Sequence, residues 1–211
     1  MKKEDYQNFY NNYWAQGKSD HKYRYGIFRS WIESGSSVLD IGCGDGYLAE
    51  LIAKNKKCDV VCLDVSEVAL KRAAERGLKT ICASVEDKLP FGDSSFDYVI
   101  ATEVLEHVAS TEEVLLEMAR VGKKYILVSI PNIAFWKYRL DLLGGKFPKQ
   151  WVAHPMEHLR YWSVGDFTKM LKDLNFEIEE IKAGSGRRYL RDLWPNLFAE
   201  QVCFKLSRKS S

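Results

Sequence analysis

Residues 38–50 read Val-Leu-Asp-Ile-Gly-Cys-Gly-Asp-Gly-Tyr-Leu-Ala-Glu. An apolar run ends at Ile41, a glycine-rich turn follows, and a helical pattern begins near Gly46. Glycines at 42, 44 and 46 let the backbone approach a ligand closely and take positive φ where a turn demands it. A strand end and a helix start then face the bound molecule with free N–H groups. The ligand is narrowed by what flanks the turn. A dinucleotide fingerprint opening at Gly42 needs its third glycine at position 47, which is Tyr47. Asp40 and Asp45 are poor company for a pyrophosphate and suit a ligand bearing an ammonium and a sulfonium. No lysine followed by Ser or Thr completes a P-loop. A dehydrogenase remains the competing reading, and it predicts NAD binding.

Working outward, Asp64 lies 24 residues beyond Asp40, at the tip of the next apolar run. A carboxylate there can accept both ribose hydroxyls; alone, it could equally be a helix cap. Further strands are predicted by pattern at Ser37–Ile41, Asp59–Leu63, Lys79–Cys82, Phe96–Ala101, Lys124–Ile130, Phe176–Lys182 and Gln201–Leu206. Helices are predicted at Gly46–Lys54, Ser66–Glu75, Thr111–Arg120 and Val164–Leu174. Ser66 reads as an N-cap, Ser163 with Asp166 as a capping box, and Gly77 as a C-terminal glycine. This alternation implies an α/β fold, a Rossmann-like three-layer sandwich whose seven-stranded sheet is mostly parallel with an antiparallel edge strand.

The chain of 211 residues suits a single domain. Its 31 basic and 29 acidic residues nearly cancel, so no global field calls for nucleic acid or membrane. No apolar run approaches the about 20 residues that a bilayer requires, and the N-terminus lacks a signal-peptide core. Five cysteines without a C-x-x-C pair argue against a disulfide scaffold or a cysteine-zinc site. A cytoplasmic protein is expected. Residues 1–34 read as an N-terminal helical cap. Residues 132–162, rich in aromatics, read either as a substrate lid at the strand ends or as extra core.

VLDIGCGDG and Asp64 together resemble the class I S-adenosylmethionine-dependent methyltransferases, and the resemblance covers nearly the whole chain. It implies S-adenosyl-L-methionine as cofactor and a small-molecule methyl acceptor. It further implies that Asp40, Gly42 and Gly44 line the methionyl part, and that Asp64 with Val65 meets the ribose. The adenine would lie at Ser84 and Val85, where the family more often has Asp in place of Ser84. Thr102 would flank the cofactor at the end of the fourth strand. Arg24-Tyr-Gly is similar to a segment of the ubiquinone-pathway O-methyltransferases, which would pair Arg24 with the methionyl carboxylate; otherwise Arg24 is a surface helix arginine. Tyr125 to Asn132 and His158 to Ser163 resemble the type-11 and MetW-like group. Some MetW-like proteins work beside an acyltransferase in methionine biosynthesis, so a non-catalytic cofactor-binding partner is the alternative function.

Methyl transfer from a sulfonium mainly needs alignment of the acceptor, with a base or metal added for a hydroxyl. Glu103, Glu106 and His107 form an E-x-x-E-H pattern similar to a divalent-metal cluster of the ubiquinone-pathway enzymes; the default is plain polar residues with a packed His107, and no metal is expected. His154-Pro-Met-Glu-His158 matches the H-x-x-E-H zinc-protease pattern, but no third ligand is evident. Within a methyltransferase, His154, His158 and Tyr161 become the candidates to touch the acceptor or act as base. Arg187, Arg188 and Arg191 form a basic patch, read as solvated surface or a contact for an anionic acceptor.

Overall fold

A computed structural model of the chain describes residues 3–15, 24–148 and 158–209. Its centre is a seven-stranded sheet of β1 (Ser37–Ile41), β2 (Asp59–Asp64), β3 (Lys79–Cys82), β4 (Phe96–Thr102), β5 (Gly122–Pro131), β6 (Phe176–Gly186) and β7 (Ala199–Arg208). The spatial order is β3-β2-β1-β4-β5-β7-β6. Strands β1 to β5 run parallel, and β7 pairs antiparallel with both β5 and β6. Every strand expected from the sequence is present. β5, β6 and β7 run longer than expected, because ladder pairing continues where the apolar pattern has stopped.

Helices cover both faces, which is why the strands read as nearly continuous apolar runs. Successive residues point to opposite sides. Val38, Tyr98 and Ile100 pack beneath Ile27, Phe28 and Trp31 of α2 (Arg24–Trp31) and Leu48 and Ile52 of α3 (Tyr47–Lys56). Leu39, Val99 and Ala101 pack on the other face, which also takes Val114, Leu115 and Met118 of α5 (Thr111–Val121) and Phe167 and Leu171 of α7 (Val164–Asp173).

The helix ends follow their cap chemistry. The Ser66 hydroxyl accepts from the Ala69 N–H at 3.2 Å and starts α4 (Glu67–Glu75). Ser163 and Asp166 close a reciprocal capping box on α7. Gly77, at φ +82°, sits just past the end of α4. Residues 3–15 carry α1 (Lys3–Ala15), which packs against α4.

Three elements lie outside the strands and helices expected from the sequence. Within residues 132–162 a helix, α6 (Trp136–Leu143), carries Tyr138 into the interior, where its hydroxyl donates to Glu200 at 2.8 Å. The β6–β7 connection holds two single helical turns, α8 (Leu190–Leu193) and α9 (Pro195–Phe198). After β4 the chain makes only one 3-10 turn, Leu105–His107, rather than a helix. Among the described residues no helix is long and apolar enough to cross a membrane. The sheet's connections leave β1 one way toward β2 and resume at β4 on the other side, so a crevice opens at the carboxyl ends of β1 and β4.

Candidate functional site

The loop after β1 is built by backbone constraint. Gly42 and Gly44 sit at φ +63° and +56°, in the left-handed region where side chains are strained. A Cβ at Gly42 would stand 2.5 Å from Val104, and one at Gly44 would overlap the Trp14 ring. The Gly42 N–H donates to the Leu63 carbonyl at 2.7 Å, docking the loop on the end of β2.

Two carboxylates face this loop in different states. Asp64 accepts the Gly44 N–H at 2.9 Å on one oxygen and the Ser66 N–H at 2.8 Å on the other. Burial raises its carboxyl, and those N–H groups oppose the rise. Each oxygen keeps a further lone pair. Asp40 is 1% exposed and neither of its oxygens has a hydrogen-bond partner. Burial, then the charge of Asp64, pushes its carboxyl up to about 8. An orphaned buried carboxylate is costly unless a donor or cation meets it.

Asp45, expected beside Asp40, turns away. It pairs with Arg76 at 3.0 Å and accepts the Tyr47 N–H. Its role is to hold the loop to α4.

Arg24 is buried at 6% exposure, which overturns its reading as a surface arginine. Its Nη1 donates to Gln201 at 3.2 Å, while its Nε has no partner. The Gln201 amide donates to Glu103 at 2.7 Å, and Glu103 accepts the Ser129 hydroxyl at 2.8 Å. A polar chain therefore runs from α2 to the ends of β7, β4 and β5. Glu103 stands at φ +54°, a strained position held by these bonds. Sequence reasoning missed Gln201; the available signal was a polar side chain opening the apolar run of β7.

Ser84 is buried and its hydroxyl accepts the Glu86 N–H at 3.3 Å, shaping the turn after β3. Val85 is half-buried against the core. The Val65 carbonyl accepts from the Cys82 thiol at 3.7 Å, and Thr102 sits opposite Ser129 in the register of β4 and β5. These residues all lie along the same edge of the sheet. Helix α1 crosses above it: Gln7 donates to Cys82, Asn11 accepts from Ser66, Trp14 covers Gly44, and Tyr10 meets His107 edge-on at 6.1 Å.

The three residues of the E-x-x-E-H pattern do not share one face. Glu103 is engaged by Ser129 and Gln201, whereas Glu106, His107 and His158 converge. Burial, then the charge of Glu103, raises the Glu106 carboxyl. Burial, then His107, lowers the His158 imidazole to about 3, so it is neutral. His158 is not helical, as the zinc-protease pattern would require. Tyr161 is more exposed, its ring against Phe147 at 5.6 Å. His154 lies outside the described residues. The basic patch is dispersed by stacking: Arg187 lies over Trp136 and Arg188 over Tyr189.

The arrangement offers a cation-seeking carboxylate (Asp40), a buried guanidinium with a spare donor (Arg24), and a loop without side chains between them. That donor set fits a zwitterionic amino-acid group, and the carboxylate of Asp64 fits a diol. Comparison with known proteins agrees on the fold. The solved structure of magnesium protoporphyrin IX methyltransferase from Synechocystis, with bound S-adenosylhomocysteine, superposes with a TM-score of 0.72 at 17% identity, covering 99% of this chain and 100% of that one. The cyclase SpnF superposes at 0.66 with 17% identity over 90% and 81%. Among curated proteins, the bifunctional methionine biosynthesis protein MetXA/MetW of Rhodopirellula baltica is 31% identical over 199 residues, 85% of this chain. The match spans only 32% of that longer protein. The ubiquinone biosynthesis O-methyltransferase of Rickettsia bellii is 29% identical over 165 residues, covering 74% of this chain and 68% of the enzyme. The family profile described as "Methionine biosynthesis protein MetW" matches residues 21–206. The chain belongs to the MetW family and has the class I S-adenosylmethionine-dependent methyltransferase fold.

Proposed function

We propose that the protein binds S-adenosyl-L-methionine and transfers its methyl group to a small-molecule acceptor. The observation that carries this reading is the orphaned, buried carboxylate of Asp40 beside a glycine loop and the spare donor of Arg24. Asp40 holds the ammonium of the methionyl group and Arg24 its carboxylate. Gly42 and Gly44 leave room for the chain between them. Asp64, with Val65 beside it, accepts the ribose hydroxyls; Ser84 and the Val85 N–H meet the adenine; Thr102 borders the methionyl end. The bound cofactor supplies an already activated methyl on a sulfonium, so the protein's task is alignment and exclusion of water.

His158 is assigned to contact the acceptor in its neutral form; burial and His107 lower its imidazole to about 3, which makes it a positioning contact rather than a strong base. Tyr161 and His154 are assigned to the same acceptor side, within a lid formed by residues 132–162. Residues 1–34 act as a cap: Trp14 on Gly44 and Asn11 on Ser66 support closure of α1 over the cofactor. The whole chain acts as one catalytic domain. Free thiols at all five cysteines support a cytoplasmic setting.

A second reading is favoured by the Rhodopirellula relative, in which a MetW portion is named together with MetXA in one bifunctional protein. In this reading the chain binds the cofactor but serves as a regulatory partner of a separate enzyme, since a fold does not fix a reaction. Exposed Tyr189, Leu193 and Trp194 in the β6–β7 connection support a protein contact. Labelled methyl transfer into small-molecule extract separates the two. Transfer that disappears in Asp64→Ala supports the enzyme. Tight cofactor binding with no transfer to any component, and a stoichiometric protein partner on purification, supports the regulator.

A further inference from the structure

We propose that Gln201 is a positioning residue for the cofactor: its neutral side-chain amide holds the Arg24 guanidinium in place to receive the methionyl carboxylate. The inference rests on the cofactor reading given above and adds to it the residue that orients the arginine.

Gln201 starts from a rigid place. β7 lies between β5 and β6, and Gln201 is held in register with Pro131 on one side and Ser185 on the other. A side chain carried by an interior strand is held more precisely than one on a loop. Residues two apart on a strand share a face, and Cys203 packs in one cluster with Ile27, Phe28 and Trp31 of α2. Gln201 therefore faces the helix that carries Arg24. Both stems meet β6 at Gly184, where a Cβ would stand 3.4 Å from the Arg24 Cβ and 3.5 Å from that of Gln201.

The amide can face only one way. The Arg24 Nη1 donates to Oε1 at 3.2 Å, and Nε2 donates to the Glu103 Oε2 at 2.7 Å. The other Glu103 oxygen accepts the Ser129 hydroxyl at 2.8 Å, and that hydroxyl accepts the Glu103 N–H at 3.1 Å. The hydroxyl proton is thus committed, and both Glu103 oxygens accept. A guanidinium has only donors. Turning the amide over would set its NH2 against Arg24 and its oxygen against Glu103.

Charge matters as much as orientation. A carboxylate paired directly with Arg24 would neutralise it and compete with the ligand. The amide between Arg24 and Glu103 carries no charge, so it fixes the guanidinium without satisfying it. The Arg24 Nε is buried with no partner, and the Tyr25 ring lies 5.3 Å from the guanidinium carbon. An incoming carboxylate supplies both the missing acceptor and the counter-charge. Gln201 is given no cofactor contact of its own; it acts through Arg24.

The test titrates the full chain calorimetrically with S-adenosylhomocysteine, which carries the amino-acid carboxylate, and with methylthioadenosine, which lacks the amino-acid group. Gln201→Met removes both hydrogen bonds at similar shape. It should weaken S-adenosylhomocysteine about 10-fold or more and leave methylthioadenosine within about 2-fold. Gln201→Glu keeps an oxygen toward Arg24 but adds a competing charge beside Glu103, and the same selective loss is expected. Arg24→Met should lose at least as much, and adding Gln201→Met to it should cost S-adenosylhomocysteine nothing further, as action through Arg24 requires. Equal loss of both ligands, unchanged affinity for both, or additive losses in the double variant overturn the proposal. If Gln201→Met does not fold, as read by thermal melting, Gln201→Glu decides by the same criteria. Wild-type protein that binds neither ligand removes the cofactor reading and this proposal with it; wild-type binding with an unselective loss in the variants removes this proposal alone.

Discussion

Asp64 fastens the glycine loop to the second strand: its Oδ2 accepts the Gly44 N–H at 2.9 Å across the carboxyl edge of the sheet. The residue assigned to the ribose is therefore also a structural clamp, because Oδ1 holds the Ser66 N–H that opens α4.

Asp64→Ala should remove cofactor binding and also destabilise the fold. Each buried N–H left without its acceptor costs about 1–3 kcal/mol. Urea denaturation and S-adenosylhomocysteine titration together check this. Asp64→Asn retains one acceptor oxygen and should recover part of the stability while binding stays at least 10-fold weakened. Unchanged affinity in both variants would remove Asp64 from the site.

Gly44→Ala should loosen α1. The position is left-handed at φ +56°, which costs a side-chain-bearing residue about 1–2 kcal/mol, and the added methyl overlaps Trp14. Faster proteolysis within residues 3–15 and a lower melting temperature are expected. Adding Trp14→Ala relieves the overlap but not the backbone strain, so it should restore only part of the loss.

The affinity for S-adenosyl-L-methionine should rise with pH between about 6 and 8. Asp40 is protonated below about 8 in the free protein, through burial and the charge of Asp64, with Tyr25 and Cys43 also near it. A bound cation lowers that value, so binding releases a proton and strengthens until the free carboxyl is itself ionised. Folding runs the other way. The unfolded carboxyl titrates near 3.8, so this group's contribution to stability falls as pH climbs from about 4 to about 8. Calorimetry in two buffers of different ionisation enthalpy measures the released proton. A flat affinity with no proton release contradicts the assignment.

Phe167→Ala should cost about 3–5 kcal/mol in urea unfolding. Its ring is fully buried, 5.0 Å from that of Phe204 on β7 and 5.3 Å from that of Trp162. A loss below about 1 kcal/mol would show that α7 is not docked on the sheet as described.

The sheet was legible because its strands are buried on both faces and separated by turn chemistry at Gly42, Ser66, Gly77 and Ser163. The loop after β1 was legible for the same reason: Gly42 and Gly44 answer to φ and close approach, which are local. What depended on tertiary pairing was not. Asp40 and Asp45 look alike in sequence, yet Arg76 from a distant helix end claims only the second. Arg24 could be read as surface or site, and only the approach of β7 buries it against Gln201. Glu103 and Glu106 group in the sequence through the E-x-x-E-H pattern, whose spacing would share a face only on a helix. The left-handed turn at Glu103 breaks that spacing, giving Glu103 to Ser129 and Gln201 and leaving the Glu106 carboxylate buried beside the two histidines.

The most direct measurement is calorimetric titration of the full chain with S-adenosyl-L-methionine and S-adenosylhomocysteine, with NAD as the control. Micromolar binding of both sulfur compounds at one per chain, with no heat from NAD, is the expected result. Binding of NAD with neither sulfur compound would contradict the account, because the same glycine loop would then be serving a dinucleotide.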